Sequence, residues 1–138
     1  ATRDEYYKQL YNVSSKGTWH KWLIYFLNGV AVQSEDVLSR AERINELLNQ
    51  WKITVASGSS QVPVEMVQHF AVNPYFTINK IAKDLGIAYS TAQRGVQKLE
   101  AAGIIKKTKD NKRDKVYCAT EILNILEEPT KIRADVYE

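Results

Sequence analysis

Residues 77–103 carry the sequence TINKIAKDLGIAYSTAQRGVQKLEAAG, which has the pattern of two short helices joined by a tight turn. Thr77 is a typical helix N-cap, and the apolar residues that follow it keep helical spacing. Gly86 stands where a left-handed C-cap is expected, and Ser90 can cap the next helix, which ends near Gly103. The stretch therefore predicts a helix-turn-helix.

The flanking sequence extends this pattern on both sides. Two β-like runs follow it, at 104–108 and 115–119, with a polar tip between them. A helix starting near Pro63 comes before the pair, and another starting at Thr120 comes after the hairpin. Helices followed by a β-hairpin in this order predict a winged helix-turn-helix over residues 62–126.

The rest of the chain is predicted to be helical. Apolar spacing indicates a short helix up to Lys16, and then a long one from Thr18 to about Lys52 that Asn28 and Gly29 can bend or divide. We therefore expect a mainly α chain with a small β-hairpin. Its predicted parts are a helical segment at 1–55, a linker at 56–61, the winged helix at 62–126 and an acidic tail at 127–138.

The long helix carries an apolar seam with steps of four and three residues, formed by Val37, Ala41, Ile44, Leu48 and Trp51. Such spacing is typical of a helix pair, so we expect this seam to be an association surface in a homodimer. The aromatic residues nearer its start, such as Trp19, are expected in a core or under a second copy, because an exposed apolar stripe promotes association.

The third helix of the winged helix is the predicted recognition helix. If Ala92, Val96 and Leu99 are buried, Arg94 and Gln97 lie opposite them, and Arg and Gln side chains suit guanine and adenine edges. The first turn suits a phosphate, and the hairpin adds basic residues. The candidate DNA-binding residues are Ser90, Thr91, Gln93, Arg94, Gln97, Lys98, Lys107, Lys109, Lys112 and Arg113.

Charge is distributed unevenly along the chain. Residues 77–119 hold ten Lys or Arg against four Asp or Glu, whereas residues 120–138 hold two against five. A local basic excess is typical of a nucleic-acid surface. Lysines also protect edge strands as a solvated surface, so two further hypotheses stay open: a protein-docking or dimerisation module that does not bind DNA, and a stand-alone transcription regulator.

The sequence contains no pattern typical of an enzyme. One cysteine, Cys118, and two distant histidines do not supply a metal site, and no phosphate-binding glycine loop is present. The longest apolar run, at 22–27, is too short to span a membrane, and nothing resembles a secretion signal. We therefore expect a cytoplasmic, non-catalytic chain without metal or cofactor.

The first half also resembles a known family. Residues 3–11, RDEYYKQLY, and 19–30, WHKWLIYFLNGV, are similar to the C-terminal end of Fic proteins (filamentation induced by cyclic AMP), and PYFT at 74–77 with LGIAYSTA at 85–92 looks like the winged helix that follows in that family. The resemblance implies a regulatory, DNA-contacting fragment of a protein adenylyltransferase. The parent would use ATP and Mg, and its catalytic HPFxxGNGR loop, absent here, would lie in an upstream Fic domain that is a partner of this chain.

Overall fold

A computed structural model describes residues 3–56, 60–108 and 115–129. Within them the chain forms six helices and three short strands, in the order α1 (Arg3–Lys16), α2 (Trp19–Val55), α3 (Val62–Phe70), β1 (Tyr75–Thr77), α4 (Ile78–Leu85), α5 (Tyr89–Ala101), β2 (Lys106–Lys107), β3 (Val116–Cys118) and α6 (Thr120–Glu127). The predicted fold class, mainly α with a small β-hairpin and a winged helix, is confirmed. None of the described helices is long and apolar enough to cross a membrane.

The three strands form one antiparallel sheet in the order β1-β3-β2. Strand β3 pairs with β1 through Phe76 and Tyr117, and with β2 through Lys107 and Tyr117. The hairpin strands β2 and β3 were predicted, although with longer bounds. Strand β1 was not predicted, because its three residues are too few to show an alternating pattern.

Residues 41–128 form one compact unit, the winged helix with its core. Three aromatic rings connect a helix to the sheet: Phe70 stacks on Phe76 with ring centroids 5.1 Å apart, and Phe76 stacks on Tyr117 at 5.9 Å. The largest side chains that are fully buried come from several elements and include Phe70, Met66, Ile81, Leu99, Ile105 and Ile122. Burial of each such side chain stabilises the folded state by about 1.5–3 kcal/mol relative to leaving that side chain in water.

The C-terminal part of α2 belongs to this same core. Leu48, Trp51 and Val55 are buried, and Ile44 packs against them from the edge. The prediction that Leu48 and Trp51 form a homodimer seam is therefore wrong. Four-and-three spacing indicates that one face of a helix is buried, but it does not identify the element that packs against that face. Here that element is the winged helix that follows in the chain.

Residues 3–40 belong to a second unit. Within it α1 packs against α2, with the rings of Tyr6 and Trp22 edge to face at 5.5 Å between centroids. Gly17 makes the turn between the two helices at a positive φ of 62°. Helix α2 runs without interruption through Gly29. The predicted domain boundaries remain predictions, and residues 57–59 of the linker and 130–138 of the tail lie outside the described residues.

The turn between α4 and α5 sets the direction of the recognition helix. The Thr77 hydroxyl accepts a hydrogen bond from the backbone N–H of Lys80, and Gly86 adopts the left-handed conformation with φ 64°, so both predicted caps are confirmed. The predicted N-cap at Ser90 is wrong. The extended residue before α5 is Ala88, and Ser90 lies inside the first turn, because the chain leaves the Gly86 turn earlier than the cap-type residues indicate.

Candidate nucleic-acid interface

Helix α5 has a buried side and a polar side. Ala92, Val96 and Leu99 are buried as predicted, together with Gly95. The opposite side is exposed and presents Ser90, Arg94, Gln97 and Ala101. The short side chains at both ends of this polar side leave the long ones, Arg94 and Gln97, accessible between them.

A groove of about 300 Å³ runs along one flank of α5. Helix α5 contributes four polar residues spaced by four, four and three positions, together with Val96, and the remaining walls come from the junction of β1 with α4 and from the hairpin. Its polar lining consists of Tyr89, Gln93, Gln97 and Glu100 from α5, Thr77 and Asn79 from the start of α4, and Lys115 and Tyr117 from the hairpin. Two predicted residues, Gln93 and Gln97, therefore meet in one groove.

Four residues that line the groove were not predicted as site residues: Tyr89, Asn79, Lys115 and Glu100. The i, i+4 spacing of Tyr89 from Gln93 is a signal that could have identified Tyr89. The contribution of Asn79 depends on the packing of α4 beside α5, which no local pattern specifies.

The Tyr117 phenol in the groove lies near the charge of Glu100. Burial raises the pKa of the Tyr117 phenol, and the nearby negative charge of Glu100 raises it further. The phenol is therefore a neutral hydroxyl, able to donate one hydrogen bond, throughout the physiological pH range. Lys107 pairs with Tyr117 in the sheet register, so its side chain leaves the sheet on the same face as Tyr117.

The first turn of α5 differs from the prediction of a phosphate site. Thr91 is half-buried, and its backbone N–H donates to the carbonyl oxygen of Ala88 at 3.0 Å. The Ser90 side chain is exposed, and its carbonyl oxygen accepts a long 3.4 Å hydrogen bond from Nε of Arg94. Because the N–H of Thr91 is already used, the cluster of free donors expected at Ser90 and Thr91 is reduced.

Lys98 does not point toward the groove. Its Nζ donates to the carbonyl oxygen of Val55 at 2.8 Å, at the C-terminal end of α2. The last carbonyl groups of a helix lack intrahelical partners, and a lysine ammonium satisfies them well. The Lys98 side chain therefore connects the recognition helix to α2, and its contact with DNA remains a prediction.

The wing tip is only partly described. Lys107 is the last residue of strand β2 and Lys115 comes just before strand β3, so the two lysines flank the tip of the hairpin. The predicted contacts Lys109, Lys112 and Arg113 lie outside the described residues and remain predictions.

Within 3–56, 60–108 and 115–129, no three His, Cys, Asp or Glu side chains are grouped so that they could hold a metal ion. Cys118 is buried, and this burial raises the pKa of its thiol, so the thiolate form that reacts is disfavoured.

The chain is similar to one protein family over its winged helix. The model of a family described as the sugar-specific transcriptional regulator TrmB matches residues 71–122, a range that contains β1, α4, α5 and both strands of the hairpin. No curated protein matches the chain.

The resemblance to Fic proteins is wrong, because the family match is to TrmB and no Fic family matches. The aromatic spacing on which it rested, such as Tyr6 with Trp22, serves to pack α1 on α2 and is available to any helical pair with large side chains. An adenylyltransferase parent has no support from these comparisons. Fold and family match together support a winged-helix module of the type found in transcription regulators.

Proposed function

We propose that residues 62–128 bind double-stranded DNA as the winged-helix module of a transcription regulator, and that the module itself catalyses no reaction. The observation that carries this proposal is the polar side of α5, where Arg94 and Gln97 are exposed and Gln97 shares a groove with Lys115. The match of residues 71–122 to a transcription regulator family supports it independently.

The side chains on α5 suit the edges of base pairs. An α-helix fits the major groove of B-DNA, where arginine pairs with guanine and glutamine with adenine. The polar side of α5, from Ser90 to Ala101, contains no acidic residue, and Glu100 stands at its C-terminal end in the groove. The N-terminal half of α5 is thus the part that an anionic duplex approaches at the lowest electrostatic cost.

The groove beside α5 suits the sugar-phosphate backbone. Lys115, Asn79 and the Tyr117 hydroxyl supply a cation and neutral donors along its walls, and such groups make most protein–phosphate contacts. These contacts would position α5 without reading sequence, whereas Gln93 and Gln97, which line the groove and are exposed, would contact the base edges.

A selection experiment tests the proposal. The purified chain is incubated with a pool of random duplexes, the bound fraction is sequenced after several rounds, and the affinity for the selected site is measured by fluorescence anisotropy. We expect an enriched motif, and a loss of affinity for it when Gln93 and Gln97 are both replaced by alanine. Replacement of Gln68, an exposed glutamine on α3, is the matched control and should have no effect. Absence of duplex binding at low salt contradicts the proposal.

A further inference from the structure

Helix α2 has an exposed apolar face in the unit formed by residues 3–40. Seven side chains on this face are between 47% and 64% exposed, and they are Trp19, Leu23, Phe26, Leu27, Val30, Val37 and Leu38. We call them the apolar face. Four of them, Phe26, Val30, Val37 and Leu38, line a groove of about 780 Å³ that has Tyr6 and Tyr25 as further walls. This is far more exposed apolar surface than isolated residues produce.

The composition of the apolar face indicates a protein partner. At 100° per residue its members occupy one sector of the helix, and the only polar residues in that sector are His20 and Ser34. Lys21, Glu35 and Asp36 fall outside the sector. Depletion of charge at the centre of a patch is the feature that distinguishes interface cores from other surface.

Two pairs of residues on the apolar face are placed symmetrically about Asn28: Phe26 and Val30 lie two positions from it, and Trp19 and Val37 lie nine positions from it. In an antiparallel pair of identical helices centred on Asn28, these residues therefore meet in register. Trp19 would face Val37 of the other copy, and Phe26 would face Val30, which places a large side chain against a smaller one.

The size of the apolar face also fits self-association. Its seven half-exposed large side chains expose on the order of 700 Å² of surface, close to the about 800 Å² per partner of a standard interface. Charge does not oppose the pairing, because residues 3–40 contain five Lys or Arg and four Asp or Glu.

The structure also selects the orientation of the pair. A parallel coiled coil would continue along α2 through Leu48 and Trp51, but these side chains are buried in the core of residues 41–128. The apolar face ends at Leu38, and an antiparallel pair centred on Asn28 uses its length from Trp19 to Leu38.

We propose that the apolar face of α2 binds the apolar face of a second copy of this chain, antiparallel and centred on Asn28. The interface is two-fold symmetric, so each substitution changes it twice. This inference does not depend on DNA binding.

Sedimentation of the purified chain tests the association. The unmodified chain should be a dimer at about 10 µM, within the affinity range of interfaces of this area. Leu27→Lys places a charge on the apolar face and should raise the dimer dissociation constant about a hundredfold. Ile53→Lys is the matched control, because Ile53 is on the same helix, 77% exposed and outside the apolar face, and should leave the dimer intact.

Circular dichroism of each variant verifies that it is folded, and because Leu27 is 60% exposed its replacement should not unfold the chain. A monomer at every concentration overturns the proposal and assigns the apolar face to a different occupant. A dimer that Leu27→Lys leaves unchanged overturns it as well.

Disulfide cross-linking tests the orientation. In an antiparallel pair residue 19 lies beside residue 37 of the other copy, whereas the two residues 19 are about 27 Å apart at 1.5 Å per residue. The double variant Trp19→Cys, Val37→Cys should therefore form a covalent dimer on oxidation, and Trp19→Cys alone should not. The natural Cys118 is 1% exposed and does not compete. A cross-link through Trp19→Cys alone would show a parallel pair and overturn the proposed geometry.

Discussion

At the residue scale, Arg94 is the side chain with the most specific expected role. It is exposed on α5, and its Nε donates a long hydrogen bond of 3.4 Å to the Ser90 carbonyl oxygen. Because a bidentate arginine–guanine pair contributes roughly 1–3 kcal/mol of discrimination, Arg94→Ala should weaken binding to a selected site while leaving affinity for random duplex nearly unchanged. Anisotropy titrations with both DNAs measure the difference.

The control for Arg94 is Arg3→Ala, which removes an exposed arginine far along the sequence on α1 and should change neither affinity. If Arg94→Ala weakens selected and random DNA by the same factor, Arg94 contacts the backbone and reads no base.

Lys98 has a structural role that a charge count does not distinguish from DNA contact. Its Nζ donates to the Val55 carbonyl oxygen at 2.8 Å. Lys98→Met keeps the aliphatic stem and removes the donor. We therefore expect the free energy of unfolding to fall by about 1 kcal/mol. The salt dependence of DNA binding by the folded protein should not change. Thermal denaturation and anisotropy separate the two roles, with Lys21→Met as the control variant. A flatter salt dependence for Lys98→Met would show that Lys98 contacts DNA phosphates.

At the scale of elements, the packing of α3 on α5 depends on Gly95. A Cβ atom at this position would lie 2.8 Å from both Sδ and Cε of Met66, which is completely buried. Although a helical alanine is favoured over glycine by about 1 kcal/mol, a fully enclosed Met66 cannot move aside without displacing its neighbours. Overpacking of this kind costs about 1–3 kcal/mol. We therefore expect Gly95→Ala to lower the free energy of unfolding in urea denaturation.

Gly29→Ala is the matched control for Gly95. Gly29 is also inside a helix, but nothing lies within 4 Å of the added Cβ. Only the propensity gain applies, so this variant should be more stable by up to about 1 kcal/mol. If both variants were stabilised equally, the close contact between the added Cβ and Met66 would not lower the free energy of unfolding, and the prediction for Gly95 would be wrong.

The same elements show what sequence reasoning could and could not predict. The helices followed from apolar spacing and from caps such as Thr77, because these signals are local. Strand β1 was missed because its partner is distant in sequence, with Tyr75 opposite Cys118. The contact between Lys98 and Val55 also joins residues that are distant in sequence, so it could not be predicted. The exposed side of α5 could be predicted, because the apolar positions at Val96 and its neighbours fix which side of the helix is buried.

At the scale of the whole molecule, the two ends of the chain present surfaces of different character. The apolar face, from Trp19 to Leu38, contains no charged Lys, Arg, Asp or Glu side chain, whereas residues 77–119 hold ten basic residues against four acidic ones. Apolar surface favours proteins and basic surface favours polyanions. The two proposed functions, self-association and DNA binding, therefore use separate segments, so that variants of one should leave the other function measurable.

DNA binding through the basic segment should depend steeply on salt. Each phosphate neutralised adds about −0.9 to the slope of log affinity against log salt, so roughly four to six contacts predict a slope of about −4 to −5. Lys115, in the groove beside α5, should account for one of them, and Lys115→Gln should reduce the slope by about 0.9 for selected and random duplex alike. Anisotropy titrations between low and physiological salt measure both slopes, and Lys21→Gln, in the unit of residues 3–40, should leave them unchanged. A slope near zero in the unmodified chain would mean that the basic segment meets no phosphate, and the winged helix would then be a protein-docking module.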